Sequence, residues 1–181
     1  MEKAHSPWSV PVAVADVPET GLHVEIEAPE AMRSALAKFA NLRDLPRLAA
    51  TFDLNRHGAG VHVVGRVTAL VGQTCVVSLE PMESEVDEAV DLTFAPLPPG
   101  GEAGESEAVG HRAEAEEELP EPLVGGVVDL GALATEFLIL GIDPYPRKPG
   151  ATFAPPKTED AGAHPFAALE ALKKRPGGGR S

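Results

Sequence analysis

The stretch Val61-His-Val-Val-Gly-Arg-Val-Thr-Ala-Leu-Val-Gly-Gln-Thr-Cys-Val-Val-Ser-Leu79 decides the fold class. It is rich in Val, Leu and Thr, broken by glycine, and too β-branched to favour a helix. It reads as two strands, Val61 to Val71 and Cys75 to Leu79, with Val71 to Cys75 as the tightest hairpin. Leu48 to Leu54 before it and Val86 to Phe94 after it have the same composition, and Gly58, Gly60, Gly72 and Pro81 punctuate the series. The segment from Leu48 to Phe94 is therefore an antiparallel meander. Gly58-Ala59-Gly60 leads into a strand without a following lysine, so it reads as a hairpin turn and not a phosphate loop. Gly65, inside a strand, predicts a bulge or bend.

Upstream, Val10 to Val14 and Leu22 to Ile26 alternate apolar and polar residues and read as half-buried strands. Pro29 suits the first turn of a helix. Met32, Leu36, Phe39 and Ala40 then recur at helical spacing, with Arg33 and Lys38 opposite.

Downstream, Pro96 to Pro122 is dense in glutamate, glycine and proline and poor in large apolar residues. It cannot bury enough surface to offset the entropy of ordering, so residues 97–122 are expected to be a disordered acidic insert. Order resumes at Val127. Asp129 is placed to cap a dense apolar helix over residues 129–142, in which Glu136 is the one charge. Glu136 either lies on an exposed stripe or pairs with an arginine of the middle segment, because a buried, unpaired carboxylate is expensive. Asp143-Pro-Tyr-Pro146 stops the helix. Tyr145 to Lys148 is either a simple turn or a contact.

The expected organisation is one α+β domain over residues 1–154, interrupted by the insert, followed by a linker, a short helix (residues 165–174) and a flexible basic tail at 155–181. The sheet is expected to be curled, or a partly open barrel, with about five to seven strands.

Charge is polarised. The net charge is −13, yet residues 102–121 alone carry eight glutamates against Arg112. Residues 33–66 carry six basic side chains, including Arg43, Arg47, Arg56 and Arg66, against Asp44 and Asp53. No apolar run approaches the roughly 18 residues of a spanning helix, and no secretory signal is visible, so a cytoplasmic protein away from the membrane is expected. Cys75 is the single cysteine, which excludes an internal disulfide and a multi-cysteine metal site in one chain. It is expected to be structural. The six histidines offer no pair one helical turn apart, and no Gly-x-Ser-x-Gly elbow occurs. No catalytic, cofactor-binding or metal-binding residue is assigned. A hydrolase would need His57 or His62 beside a carboxylate in a pocket.

Four segments in this order carry a resemblance: Gly65 to Pro81, the glutamate-rich loop, Val128 to Glu136, and Pro165-Phe-Ala-Ala-Leu-Glu-Ala-Leu-Lys173. Together they resemble the YceD family, the large ribosomal RNA subunit accumulation proteins, in its alphaproteobacterial form. The resemblance implies a bacterial ribosome-biogenesis factor supporting accumulation of large-subunit (23S) rRNA, without catalytic residues to transfer. Other members carry Cys-x-x-Cys where this chain has Cys75-Val-Val-Ser78, which implies a hairpin held by hydrogen bonds and packing in place of a metal.

The expected role is non-enzymatic, in a monomer without cofactor: binding a basic large-subunit ribosomal protein or a pre-ribosomal particle. The alternative is direct contact with large-subunit rRNA; DNA is not expected as a partner. Arg43, Arg47, Arg56, Arg66, Tyr145, Arg147 and Lys148 are the candidate contacts, and Cys75, Asp129 and Glu136 the candidate structural residues.

Overall fold

The computed structural model describes residues 6–96 and 120–153. The expected helix at 165–174 and most of the expected insert lie outside the described residues. The order is β1 (Pro11–Ala13), a 3-10 turn (Val14–Asp16), β2 (Leu22–Glu27), α1 (Glu30–Phe39), β3 (Asp44–His57), β4 (Gly60–Thr74), β5 (Pro81–Ala95), β6 (Glu121–Pro122), β7 (Val127–Asp129) and α2 (Leu130–Gly141). Five strands form one sheet in the order β2-β3-β4-β5-β6, and β1 pairs with β7 in a second, two-stranded sheet. The large sheet is antiparallel except for β5 with β6, and it does not close into a barrel.

The meander is present, with longer strands than composition alone marks. His57 pairs with Gly60 across the expected Gly58-Ala59 turn. Three expectations are corrected. Cys75 to Leu79 is a turn and not a strand: β4 runs on to Thr74, and the chain reverses through Cys75 to Glu80 before β5. Val71 to Thr74 is thus paired strand and not a hairpin loop. Gly65 makes no bulge either, since both ladders pass through it in register. It lies opposite Phe52, and a Cβ there would sit 2.7 Å from the Phe52 ring and 2.3 Å from the Thr51 carbonyl. This close approach demands the glycine. The irregularity falls instead at the start of β3, between Asp44 and Arg47.

Strand periodicity divides the sheet into two faces. Leu48, Ala50, Phe52 and Leu54 of β3, Val61, Val63, Val67, Ala69 and Val71 of β4, and Val86 and Val90 of β5 are buried on the inner face. Leu36 and Ala37 of α1 and Leu130, Leu133, Ala134 and Leu138 of α2 join this core, as do Trp8 and Val17 of the N-terminal segment. Fully burying each large aliphatic side chain contributes about 1.5–3 kcal/mol.

The start of α2 is fixed as its sequence suggests. Asp129 accepts hydrogen bonds from the Gly131 and Ala132 amides. It also accepts from the Val10 amide at 2.8 Å and from the Ser9 hydroxyl, tying the N-terminal strand to the helix. Burial alone raises an acid's pKa, but these donors outweigh it and hold the Asp129 carboxyl below its ordinary value. Gly131 sits against this segment: a Cβ there would approach the Val10 nitrogen to 2.9 Å. Glu136 is exposed and pairs with no arginine among the described residues. In the last turn of α2, Leu138 stays buried while Ile139 and Leu140 are exposed on the outward side.

Leu138→Ala is expected to cost about 2–5 kcal/mol in urea unfolding, the range for truncating a buried leucine. Glu136→Gln should stay within about 0.5 kcal/mol of the parent, as for other exposed positions. Asp129→Ala should lose about 1–2 kcal/mol of capping stability. Because the folded pKa of Asp129 is depressed, its contribution is complete above the ordinary Asp range and is lost as pH falls through the folded value. The difference between parent and Asp129→Ala should therefore shrink on strong acidification.

Candidate functional site

The candidate cationic residues do not converge. β3 places Arg43, just before its start, and Arg56, near its end, on the order of 40 Å apart at the usual rise per strand residue. Arg56 is engaged in the fold, its guanidinium donating to the Val17 and Ala15 carbonyls at 2.6 and 2.7 Å. Arg66 pairs with Asp87 at 2.8 Å. Arg47 is exposed on the outer face opposite Leu70. Arg43 lines two shallow clefts of about 430 and 380 Å³ that flank the turn between α1 and β3.

Lys148, with Tyr145 and Arg147, belongs to a corner built around Cys75. The Cys75 Sγ is buried and accepts hydrogen bonds from the Lys148 amide at 3.3 Å and the Ser78 amide at 3.4 Å. Val76 donates to the Pro146 carbonyl, Gln73 Nε2 to the Asp143 carbonyl, and Lys148 Nζ to Glu80. The exit of α2 is thereby stapled to the β4–β5 turn. The Lys148 N–H foremost, then Ser78, lowers the Cys75 thiol to about 6 against the opposing effect of burial. Hydrogen bonds and packing hold this hairpin. Among the described residues no group of three or more His, Cys, Asp or Glu side chains is placed to hold a metal. Tyr145 keeps its ring exposed while its backbone closes the turn onto Asp143.

The outer face of the large sheet is the feature that inspection of the charge runs passes over. Register places Glu25 and Glu27 of β2, Asp44 and Asp53 of β3 and Glu83, Glu85, Asp87 and Asp91 of β5 on it, all exposed. Among the described residues only Arg47 and Arg66 oppose these eight carboxylates, a balance of −6. His62 pairs with Asp91 at 2.7 Å, and His23 with Asp53 at 2.7 Å. The Asp53 hydrogen bond, then that of Glu25, raises the His23 pKa above the ordinary imidazole value. A signal for this face was present: Glu83-x-Glu85-x-Asp87 and His23-x-Glu25-x-Glu27 have the two-residue period of one strand face.

His62 thus stands beside a carboxylate, but on an open sheet surface. Neither His57 nor His62 lines the two clefts at Arg43 or the third, of about 450 Å³, between the β3–β4 turn and Gly125-Gly126.

The family model described as "Large ribosomal RNA subunit accumulation protein YceD" matches residues 63–173, more than half of the sequence. The chain belongs to the YceD family. The match spans most of β4, the Cys75 corner, β5 and α2, and the family's description gives a role in accumulation of large-subunit ribosomal RNA. No curated protein and no solved structure matches the chain. No helix among the described residues is long and apolar enough to cross a membrane.

Because the folded thiol pKa is depressed, Cys75 contributes stability that is complete above the unfolded value and is lost as pH falls through about 6. The stability of the parent relative to Cys75→Ala, followed by denaturant melts, should therefore rise between about pH 6 and the ordinary thiol range near pH 9.

Proposed function

We propose that this YceD-family chain is a non-enzymatic cytoplasmic ribosome-biogenesis factor that supports large-subunit rRNA by binding a basic large-subunit protein or the pre-ribosomal particle containing it. The observation that carries this reading is the outer sheet face, with its eight carboxylates against two guanidiniums among the described residues. Such a face attracts a cationic protein surface and repels phosphates. A strongly acidic sequence segment at 102–121 adds charge of the same sign. A ribosomal protein rich in Lys and Arg needs its charge screened before rRNA supplies the counter-charge, and an acidic sheet supplies such a surface without chemistry. The scattered arginines argue the same way, because useful RNA affinity needs several phosphate contacts together.

Direct RNA binding is the second reading, favoured only by exposed Lys38 and Arg43 beside the α1–β3 clefts. Titration of the full chain with individual purified large-subunit proteins, and separately with large-subunit rRNA, distinguishes the two. The expected result is binding to at least one basic protein that weakens about tenfold or more when Glu25, Glu83, Glu85 and Asp87 are replaced by their amides. The reading fails if no such protein binds while rRNA does, with a steep salt dependence that becomes shallower in Arg43→Gln/Arg47→Gln.

A further inference from the structure

The outer edge of β5 is the longest strand edge left open among the described residues. Among the described residues β6 covers it only at Phe94 and Ala95, and no other described strand lies beside Pro81 to Thr93 on that side. The free groups can be assigned. Ala95 turns its carbonyl outward, where it accepts from the Leu123 amide at 2.8 Å, and backbone direction alternates along a strand. The β4–β5 register runs from Val61↔Phe94 to Thr74↔Pro81 without a shift, so the parity holds throughout. Glu83, Glu85, Asp87, Ala89, Asp91 and Thr93 therefore point their N–H and C=O groups away from β4. The residues offering free backbone groups are the ones whose side chains lie on the acidic outer face.

Charges on an edge strand often serve only to prevent edge-to-edge aggregation. Two features go beyond that. The edge already accepts a strand, since β6 joins it in parallel at its end. Its carboxylates also outnumber their partners: Arg66 pairs with Asp87 and His62 with Asp91, while Glu83 and Glu85 have no ion-pair partner among the described residues. The edge of β2 is shorter, with His23, Glu25 and Glu27 as its outward positions.

Resting on the protein-binding role proposed above, we propose that the β5 edge from Glu83 to Asp91 is a docking strand. Its occupant is an extended protein segment with Lys or Arg at alternate positions, added to the sheet beside β5. Main-chain bonds would give this segment its register, and facing side chains at roughly 4.5–5.5 Å would place its cations against Glu83, Glu85, Asp87 and Asp91. RNA does not fit this edge, because it lacks a peptide ladder and its phosphates would meet carboxylates.

The test uses the full chain and the nine-residue peptide Lys-Val-Lys-Val-Lys-Val-Lys-Val-Lys, with two further versions N-methylated on either alternate set of residues. All three carry the same charge. The expected result is that one methylated version loses affinity about tenfold or more while the other binds like the parent, because only one set of amides faces β5. Bound peptide should also slow amide exchange at Glu85, Asp87 and Ala89, while Val86 and Glu88, already bonded to β4, are unchanged. Glu83→Gln/Glu85→Gln/Asp87→Asn should weaken binding with the fold intact by circular dichroism. If both methylated peptides bind as well as the parent, the contact is one of charge alone, and strand addition is overturned while the protein-binding role stands. If the peptide and every large-subunit protein fail to bind, both are overturned.

Discussion

The structure depends on the need of α2 to bury an almost wholly apolar surface. A helix with Leu130, Leu133, Ala134 and Leu138 turned inward cannot stand in water. The inner face of the meander, with Phe52, Val63, Val67 and Val90, provides the complementary surface. Asp129 fixes where that helix begins, and its bonds to Ser9 and Val10 close the N-terminal segment over the same end. At the other end, the Cys75 corner binds the helix exit to the β4–β5 turn. The helix is therefore clamped at both ends by polar contacts that fix its position against the sheet, while the hydrophobic area supplies most of the stabilisation.

Committing the inner face to α2 and α1 leaves the outer face of the sheet to solvent, and its character separates the functional readings. One-sided sheets commonly carry polar residues outward. Here the outward residues are predominantly carboxylates, and the basic side chains of the middle segment are dispersed or already used. Arg56 braces the N-terminal segment and Arg66 answers Asp87. A local excess of positive charge in sequence did not become a positive surface, because a long strand spreads neighbouring residues over tens of ångströms.

The Cys75 corner is closed by backbone donors around a single buried thiol. Backbone amides of Ser78 and Lys148 both donate to the thiol sulfur. Donors of this kind favour the thiolate, and the turn is completed by Val76 with Pro146 and by Lys148 with Glu80.

Much of the fold was legible in local pattern. Period-two alternation marked β2 and the meander, helical spacing marked α1, and Asp129 before an apolar run marked the cap of α2 with the correct residue. Those features depend on local backbone periodicity and on contacts between near neighbours, which the sequence by itself determines. Misreadings came where distant contacts decide. The extension of β4 through Thr74 required β5 opposite it, and the role of Gly65 required the Phe52 ring across the ladder. The exposure of Phe39, which shares the helical spacing of buried Leu36, followed from where α1 sits on β3. Above all, the acidic face and the open β5 edge exist only once register aligns residues from three strands on one side. Sequence determined which residues alternate, but tertiary pairing decided which of them share a surface, because strand register brings together side chains that the chain itself keeps far apart.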